Sequence, residues 1–334
     1  MSGSGVIASV SFRNFKALRA TSLRLGPFNL VIGPNGSGKT SLIQAVLQLR
    51  ALAGLALAAA PEISKNADLP EVSFKFEPPF ESVEATLGCG SEMVCDLLRV
   101  TPPAVQSWPA LKTALGRMRS FVLDHATMAS PASRSSGGSL ASNGANLAAV
   151  LAWRRDHAPV DWALLEKETL RLFPEFSGIV LTARPDDTLE LELTLADGSG
   201  KVSAANLSQG TLYLLAVLAL AFDPAPPTVL CIEEIDRGIH PRMLREVRDA
   251  LYRLSYPAAA GETRPAVQVI ATTQSPYFLD LFRDHPEEIV ISQKRGNTAH
   301  FERLSDRADL PELLQEGSLG DMWFSGILGG VPED

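Results

Sequence analysis

Residues 33–40, Gly-Pro-Asn-Gly-Ser-Gly-Lys-Thr, constrain what this chain can fold into more than any other stretch. They satisfy G-x-x-x-x-G-K-[ST] without a gap. The apolar run Phe28–Ile32 precedes them, and a stretch rich in Leu, Ala and Gln, free of Pro until Pro61, follows. This order predicts a strand, a tight loop and a helix over Lys39–Ala60, with a break near Gly54. Glycines let such a loop curl until its N–H groups face inward, and the helix N-terminus adds positive potential. Together they form a cradle for phosphate groups. Asn35, Gly36, Ser37, Gly38, Lys39, Thr40 and Ser41 are therefore expected to contact a nucleotide. Lys39 is expected at the β- and γ-phosphates, and the Thr40 hydroxyl at Mg²⁺.

A second segment supplies the acidic half of such a site. Thr228–Ile232 is a nearly continuous apolar strand, as expected for a parallel sheet covered on both faces, and it ends in Glu233-Glu234. A carboxylate at the end of a core strand can hold the metal's water shell, and a neighbouring one can polarise the attacking water. Glu233 is assigned to the metal and Glu234 to the general base.

Around these landmarks the chain alternates between α/β and β-rich stretches. Strands are predicted at Val6–Phe12, Val72–Phe76, Val83–Leu87, Phe121–Leu123, Leu189–Leu195, Val267–Thr272 and Ile289–Gln293. Helices are predicted from Asn143 or Asn146 to Asp156, and at Trp162–Phe173, Leu212–Phe222, Pro241–Leu254 and Phe278–Phe282. Residues 129–144, mostly Ser, Gly and Ala, read as a flexible loop. The nucleotide-binding core is expected at 1–60 and 206–300, with 61–205 as an inserted lobe.

Composition sets outer limits. Hydrophobic residues make up 46% of the 334 positions, which excludes a disordered chain. Thirty basic against 38 acidic residues give a net charge of −8, which excludes a wholly basic nucleic-acid coat though not a local strip. Candidate strips are Arg13, Lys16, Arg19 and Arg24; Arg117, Arg119 and Arg134; and Arg242, Arg245 and Arg248. A solvated face is the simpler reading of each. Three cysteines are too few for a disulfide framework and suit a reducing cytoplasm. The first residues do not resemble a signal peptide. The apolar runs Ala51–Ala60 and Leu212–Phe222 are well short of the ~18 residues that suggest a membrane span, so a cytoplasmic protein with no membrane partner is expected.

Leu207-Ser208-Gln209-Gly210-Thr211 stands before the acidic pair and resembles the signature motif of ABC-type ATPases. The stretch Glu233–Pro241 (E-E-I-D-R-G-I-H-P) resembles the E-E-P-E-x-G-x-H-P of compact bacterial ATPases in the RecF, SMC and OLD group. So does the opening Phe12-Arg13-Asn14-Phe15-Lys16. Thr272-Thr273-Gln274-Ser275-Pro276 is similar to their T-T-H-S-P switch, and Leu319-Gly320-Asp321-Met322-Trp323 to their L-G-x-L-W.

The resemblance implies an α/β P-loop NTPase fold. It would be an ABC-type head with a mainly parallel core sheet, an antiparallel β portion and a helical inserted lobe, all in one domain over 1–334. It implies a homodimer closed around two ATP molecules, with Ser208, Gln209 and Gly210 of one subunit reaching nucleotide on the other. It also implies Arg13 among the nucleotide contacts and Gln274 at the γ-phosphate. The role implied is an ATP-driven switch in DNA maintenance or anti-phage defence, working with a separate effector such as a nuclease. Contact with DNA or RNA is compatible with it. An ATP-binding sensor with little hydrolysis and a transporter motor subunit are the alternatives.

Three departures from the family pattern matter. Gln274 replaces the switch His and can donate an N–H but take up no proton, so hydrolysis is expected to be slow or partner-stimulated. Glu233 replaces the more usual Asp. The Q-loop glutamine has no counterpart in Phe121–Arg134, where it would fall. His240, at the D-loop position, either packs at the dimer seam or caps its helix. No heptads separate the phosphate loop from the signature, and too few residues follow Lys294 for a Toprim domain.

Overall fold

The computed structural model of the protein describes residues 5–55, 69–91, 94–103 and 106–329. In chain order the elements begin with β1 (Ile7–Phe15), β2 (Leu18–Arg24), β3 (Phe28–Ile32) and α1 (Lys39–Gly54). They continue with β4 (Glu71–Phe76), β5 (Glu84–Ser91), β6 (Val94–Thr101), α2 (Trp108–Gly116) and β7 (Arg119–Phe121). Next come α3 (His125–Met128), β8 (Ala132–Ser133), α4 (Leu147–His157), α5 (Pro159–Leu172), β9 (Phe176–Ala183), β10 (Thr188–Leu195), β11 (Lys201–Ser203) and α6 (Gln209–Ala221). Last are β12 (Val229–Ile232), α7 (Leu244–Ser255), β13 (Gln268–Thr273), α8 (Pro276–Asp280), β14 (Ile289–Arg295), β15 (Thr298–Arg303), α9 (Leu310–Glu316) and α10 (Leu319–Phe324).

The contacts divide the chain into two compact units. One holds Met1–Ser120, Pro227–Asp236 and Leu254–Asp334; the other holds Phe121–Pro226 and Arg237–Arg253. This division falls elsewhere than the expected insertion at 61–205. Strands β4, β5 and β6 lie within that range, yet β4 pairs with β1 and extends the sheet of the first unit.

The large sheet runs β6-β5-β4-β1-β2-β15-β14-β3-β13-β12-β7. Its β1–β2, β1–β4, β4–β5, β5–β6 and β14–β15 pairs are antiparallel, whereas β14, β3, β13 and β12 pair in parallel. All five residues of β3 and all four of β12 are buried. Such strands must be covered on both faces. On one face α1 lays Leu42, Ile43, Val46, Leu49 and Ala53, spaced at about one turn, into a core with Val31, Cys231 and Ile270. On the other, the Phe28 ring lies 5.3 Å from that of Phe282, which meets Phe278 edge-on at 5.4 Å. Cys89 and Cys95, opposite each other on β5 and β6, form a disulfide that the cysteine count did not suggest. Cys231 is free and buried, and burial pushes its thiol up to about 12.

In the second unit β9, β10 and β11 form an antiparallel sheet, joined by the two-residue β8. Residues 129–144 are therefore not wholly without regular structure. Ala132 pairs with Leu189, and the Asn146 side chain holds Ala141 N at 2.7 Å and Ser139 O at 2.9 Å. These bonds replace the helix cap expected of Asn146. Helix α1 ends at Gly54; the rest of the helix expected to Ala60 lies outside the described residues. No described helix is long and apolar enough to cross a membrane.

Arg154 on α4 is fully buried in this unit. Its guanidinium donates to Ala219 O at the end of α6 and lies 3.3 Å from Asp223. Burial lowers its pKa, and Asp223 opposes that shift. A buried pair costs much desolvation, so breaking it by removing one partner hurts more than replacing the cation by an apolar side chain. Asp223→Ala is expected to cost about 3–5 kcal/mol in urea unfolding and Arg154→Met much less; equal losses would contradict this.

Candidate nucleotide-binding site

The parallel strands place the site. Thr273 of β13 lies in register with Ile32 of β3, and Ile232 of β12 with Ala271 of β13. The three chains therefore leave the sheet at the same end as residues 33–38, 233–236 and 274–275. A pocket there is lined by Asn35, Gly36, Gly38, Lys39, Thr40, Ser41, Glu233, Glu234, Thr272, Thr273 and Gln274. Segments 193 and 239 residues apart in sequence meet in it: Thr40 Oγ1 donates to Glu233 Oε2 at 2.8 Å, and Gln274 Nε2 donates to Asn35 Oδ1 at 2.9 Å.

Helix α1 starts from Gly38 in the left-handed region (φ +102°), with no side-chain cap and no acidic residue in its first turn. Its first N–H groups and the positive end of its dipole have no anionic side chain of their own to satisfy them. The Lys39 ammonium curls back onto Gly33 O at 2.6 Å and Pro34 O at 2.9 Å. Burial lowers its pKa, while Glu234 and then Glu233 raise it. The loop thus carries a cation and free donors on one wall and two carboxylates on the other, the division needed to hold a phosphate chain with a hard cation beside it. Thr40 and Glu233 are oxygen donors already side by side, which fits Mg²⁺.

Glu234 has φ +50°, a conformation that costs a residue with a Cβ about 1–3 kcal/mol. Thr272 of β13 holds it there. Its hydroxyl accepts from Glu234 N at 3.0 Å, and its carbonyl accepts from Ile235 N at 3.0 Å. Thr273 Oγ1 in turn donates to Asp236 Oδ1 at 2.6 Å and accepts from Ser275 N at 3.0 Å. The two threonines thus lock the acidic turn and the Gln274 segment together. In the sequence the two threonines show only as part of the Thr272–Pro276 motif.

The side chains of two residues expected at the nucleotide are engaged or buried elsewhere. Arg13 faces Glu71 across the β1–β4 register and pairs with it at 3.0 Å, away from the pocket lining. The Ser37 side chain is turned inward and fully buried, and Ser292 Oγ on β14 donates to its carbonyl at 2.6 Å. Ser37 can offer a ligand only its backbone.

Ser208, Gln209 and Gly210 belong to the second unit. Ser208 caps α6, its Oγ accepting from Thr211 N at 3.1 Å. Gly210 lies against the turn after the acidic pair, where a Cβ would be 2.9 Å from Gly238 O, and the Gln209 side chain packs on Gly238. His240 caps the following helix, its Nδ1 accepting from Arg242 N at 3.2 Å, the simpler of its two expected roles. Elsewhere, His285, Glu287 and Glu288 bring ligand atoms close together, but Glu288 accepts from Tyr256 and His285 pairs with Glu287 at 3.2 Å.

The profile of a family described as "AAA domain, putative AbiEii toxin, Type IV TA system" matches residues 114–280, half of the chain, and one described as "AAA ATPase domain" matches residues 6–53. No curated protein matches the sequence. An SMC head crystallised with the C-terminal winged-helix domain of ScpA aligns over 89% of this chain and 96% of its own, at TM-score 0.57 and 16% identity. The SMC head domain of Thermotoga maritima aligns over 89% and 98%, at TM-score 0.50 and 14% identity. These likenesses establish the fold.

Because Glu233 and Glu234 both raise the Lys39 pKa, Glu234→Gln or Glu233→Gln should let the amine lose its proton at lower pH. Mass spectrometry of Lys39 labelled by an amine-reactive reagent across a pH series would show the midpoint moving down. A midpoint that stays or rises contradicts the arrangement.

Proposed function

Because the chain belongs to the AAA-domain family whose description carries the AbiEii toxin, and has the fold of an SMC head, we propose that it binds and hydrolyses Mg–ATP as a conformational switch. The observation that carries this reading is the convergence of the phosphate loop, the acidic pair and Gln274 in one pocket. Lys39 and the loop N–H groups take the phosphates. Thr40 and Glu233 hold Mg²⁺, which would neutralise charge on the phosphate oxygens. Glu234 orients and polarises the attacking water, its carboxylate aimed by the left-handed turn that Thr272 holds. Gln274 donates an N–H toward the γ-phosphate. As an amide it can neither take up a proton nor carry charge, so turnover is slow unless a partner assists.

Two copies close on two nucleotides, each presenting Ser208 and Gly210 to the other's phosphate. Ser208 and Gly210 stand at the N-terminus of α6, whose dipole favours an anion, which supports this pairing. The family description supports toxin–antitoxin defence as the setting, and an SMC head bound to a piece of ScpA supports a separate protein partner. The basic strips lend less to nucleic-acid contact, since Arg13 is paired with Glu71 and Arg248 with Asp249.

Glu234→Gln should keep ATP binding, lose about 100-fold or more of the turnover, and elute as a dimer with ATP in light-scattering chromatography. A variant that stays monomeric at saturating ATP contradicts the pairing, and one with full turnover contradicts the role of Glu234. Gln274→His should hydrolyse faster than wild type, alone or with partner; no gain in either condition contradicts the account of Gln274.

A further inference from the structure

The C-terminal motif Leu319–Trp323 takes no part in the pocket, yet it is packed on the segment that carries Gln274. Helix α10 buries Leu319, Met322 and Trp323 and is capped by Ser318, whose Oγ accepts from Asp321 N at 3.0 Å. It lies on α8, which begins two residues after Gln274. The contact runs through the Gly320 backbone, which meets the Asp280 carboxylate and the Pro276 carbonyl. Gly320 N donates to Asp280 Oδ1 at 2.8 Å, and a Cβ on Gly320 would stand 2.7 Å from Asp280 Oδ2 and 2.8 Å from Pro276 O. The obstacle at Pro276 is a main-chain carbonyl, which cannot swing aside as a long side chain can.

From Pro276 the connection to the nucleotide pocket is short and continuous. Ser275 caps α8, its Oγ accepting from Phe278 N at 3.3 Å, and its own N–H is held by Thr273 Oγ1. Gln274, between them, reaches Asn35 at 2.9 Å. The N-terminal end of α8 is therefore fixed by β13 on one side and by Gly320 on the other, and the Gln274 amide hangs between the two anchors. Both α8 and α10 are too short to hold position by their own hydrogen bonds.

We propose that Gly320 is a positioning residue for hydrolysis: by allowing α10 to sit against the Pro276 carbonyl and Asp280, it sets where Gln274 stands at the γ-phosphate. This rests on the ATPase reading above. It adds a specific consequence, that the C-terminal helix acts on the catalytic step and not on nucleotide binding, because the phosphate-loop contacts of Lys39 and Thr40 do not pass through α8. Displacement of a positioned group by about 1 Å can cost about 100-fold in rate.

The test compares Gly320→Ala, Asp280→Ala, Gln274→Ala and the Gly320→Ala/Gln274→Ala double variant. Phe324→Ala serves as the control on the same helix, its ring being 82% exposed. Gly320→Ala should lower kcat about tenfold or more with KM for ATP and ADP affinity within about twofold of wild type. Asp280→Ala, which removes the acceptor without adding bulk, should shift kcat the same way by less. The double variant should be no slower than Gln274→Ala, because both changes act through one amide. Phe324→Ala should match wild type.

An unchanged kcat in Gly320→Ala, a rise in KM that accounts for the loss, or losses that multiply in the double variant would overturn the proposal. Should Gly320→Ala fold poorly, Asp280→Ala with its double variant decides by the same criteria. Wild type without turnover, alone and with partner, would refute the ATPase reading instead. Amide exchange at Phe278 and Leu279 then decides the positioning claim: faster exchange in Gly320→Ala upholds it, and unchanged protection overturns it.

Discussion

Parallel hydrogen bonding between β3, β13 and β12 is the constraint on which the rest of the site depends. Their registers make three strands, distant in sequence, end at the same level, so that a cationic loop, an acidic turn and an amide-bearing segment emerge side by side. The strands can pair this way because their residues are buried on both faces, with α1 covering one side and Phe278 and Phe282 the other. Burial fixes the sheet; the sheet fixes the heights of the strand ends; those heights create the pocket.

Charge is then distributed by backbone as much as by side chain. An uncapped helix start and a half-buried Lys39 face Glu233 and Glu234, and the two carboxylates oppose the desolvation of the ammonium. The strained backbone at Glu234 is tolerated because Thr272 supplies two hydrogen bonds to the turn. Strain retained at this position, in a turn that could have used Gly, fits a carboxylate that must point in one direction.

What could be read from the sequence follows the same physics. The phosphate loop, β3, β12 and the acidic pair were legible because a motif with fixed spacing coincided with uninterrupted apolar runs. Strand β15 was missed although Gly296-Asn297 between β14 and β15 is a two-residue hairpin signal. Strand β2 carries too many polar residues to stand out. The side-chain directions of Ser37 and Arg13 were not legible for a different reason. A motif assigns residues but not side-chain directions, and here β1 register turned Arg13 to Glu71 while β14 claimed the Ser37 carbonyl. The bond between Arg154 and Ala219 and the fit of Gly320 on Pro276 are long-range matters of shape, which no local pattern encodes.

The central claim is that the Asn35–Ser41, Glu233–Glu234 and Gln274 pocket takes a nucleotide triphosphate with Mg²⁺. Isothermal titration of wild type and Lys39→Ala with Mg–ATP tests it directly. The account predicts saturable binding by wild type and a loss of roughly 10–100-fold in the variant, as removal of a charged hydrogen-bonding partner entails. No binding by wild type, or equal binding by both proteins, would contradict it.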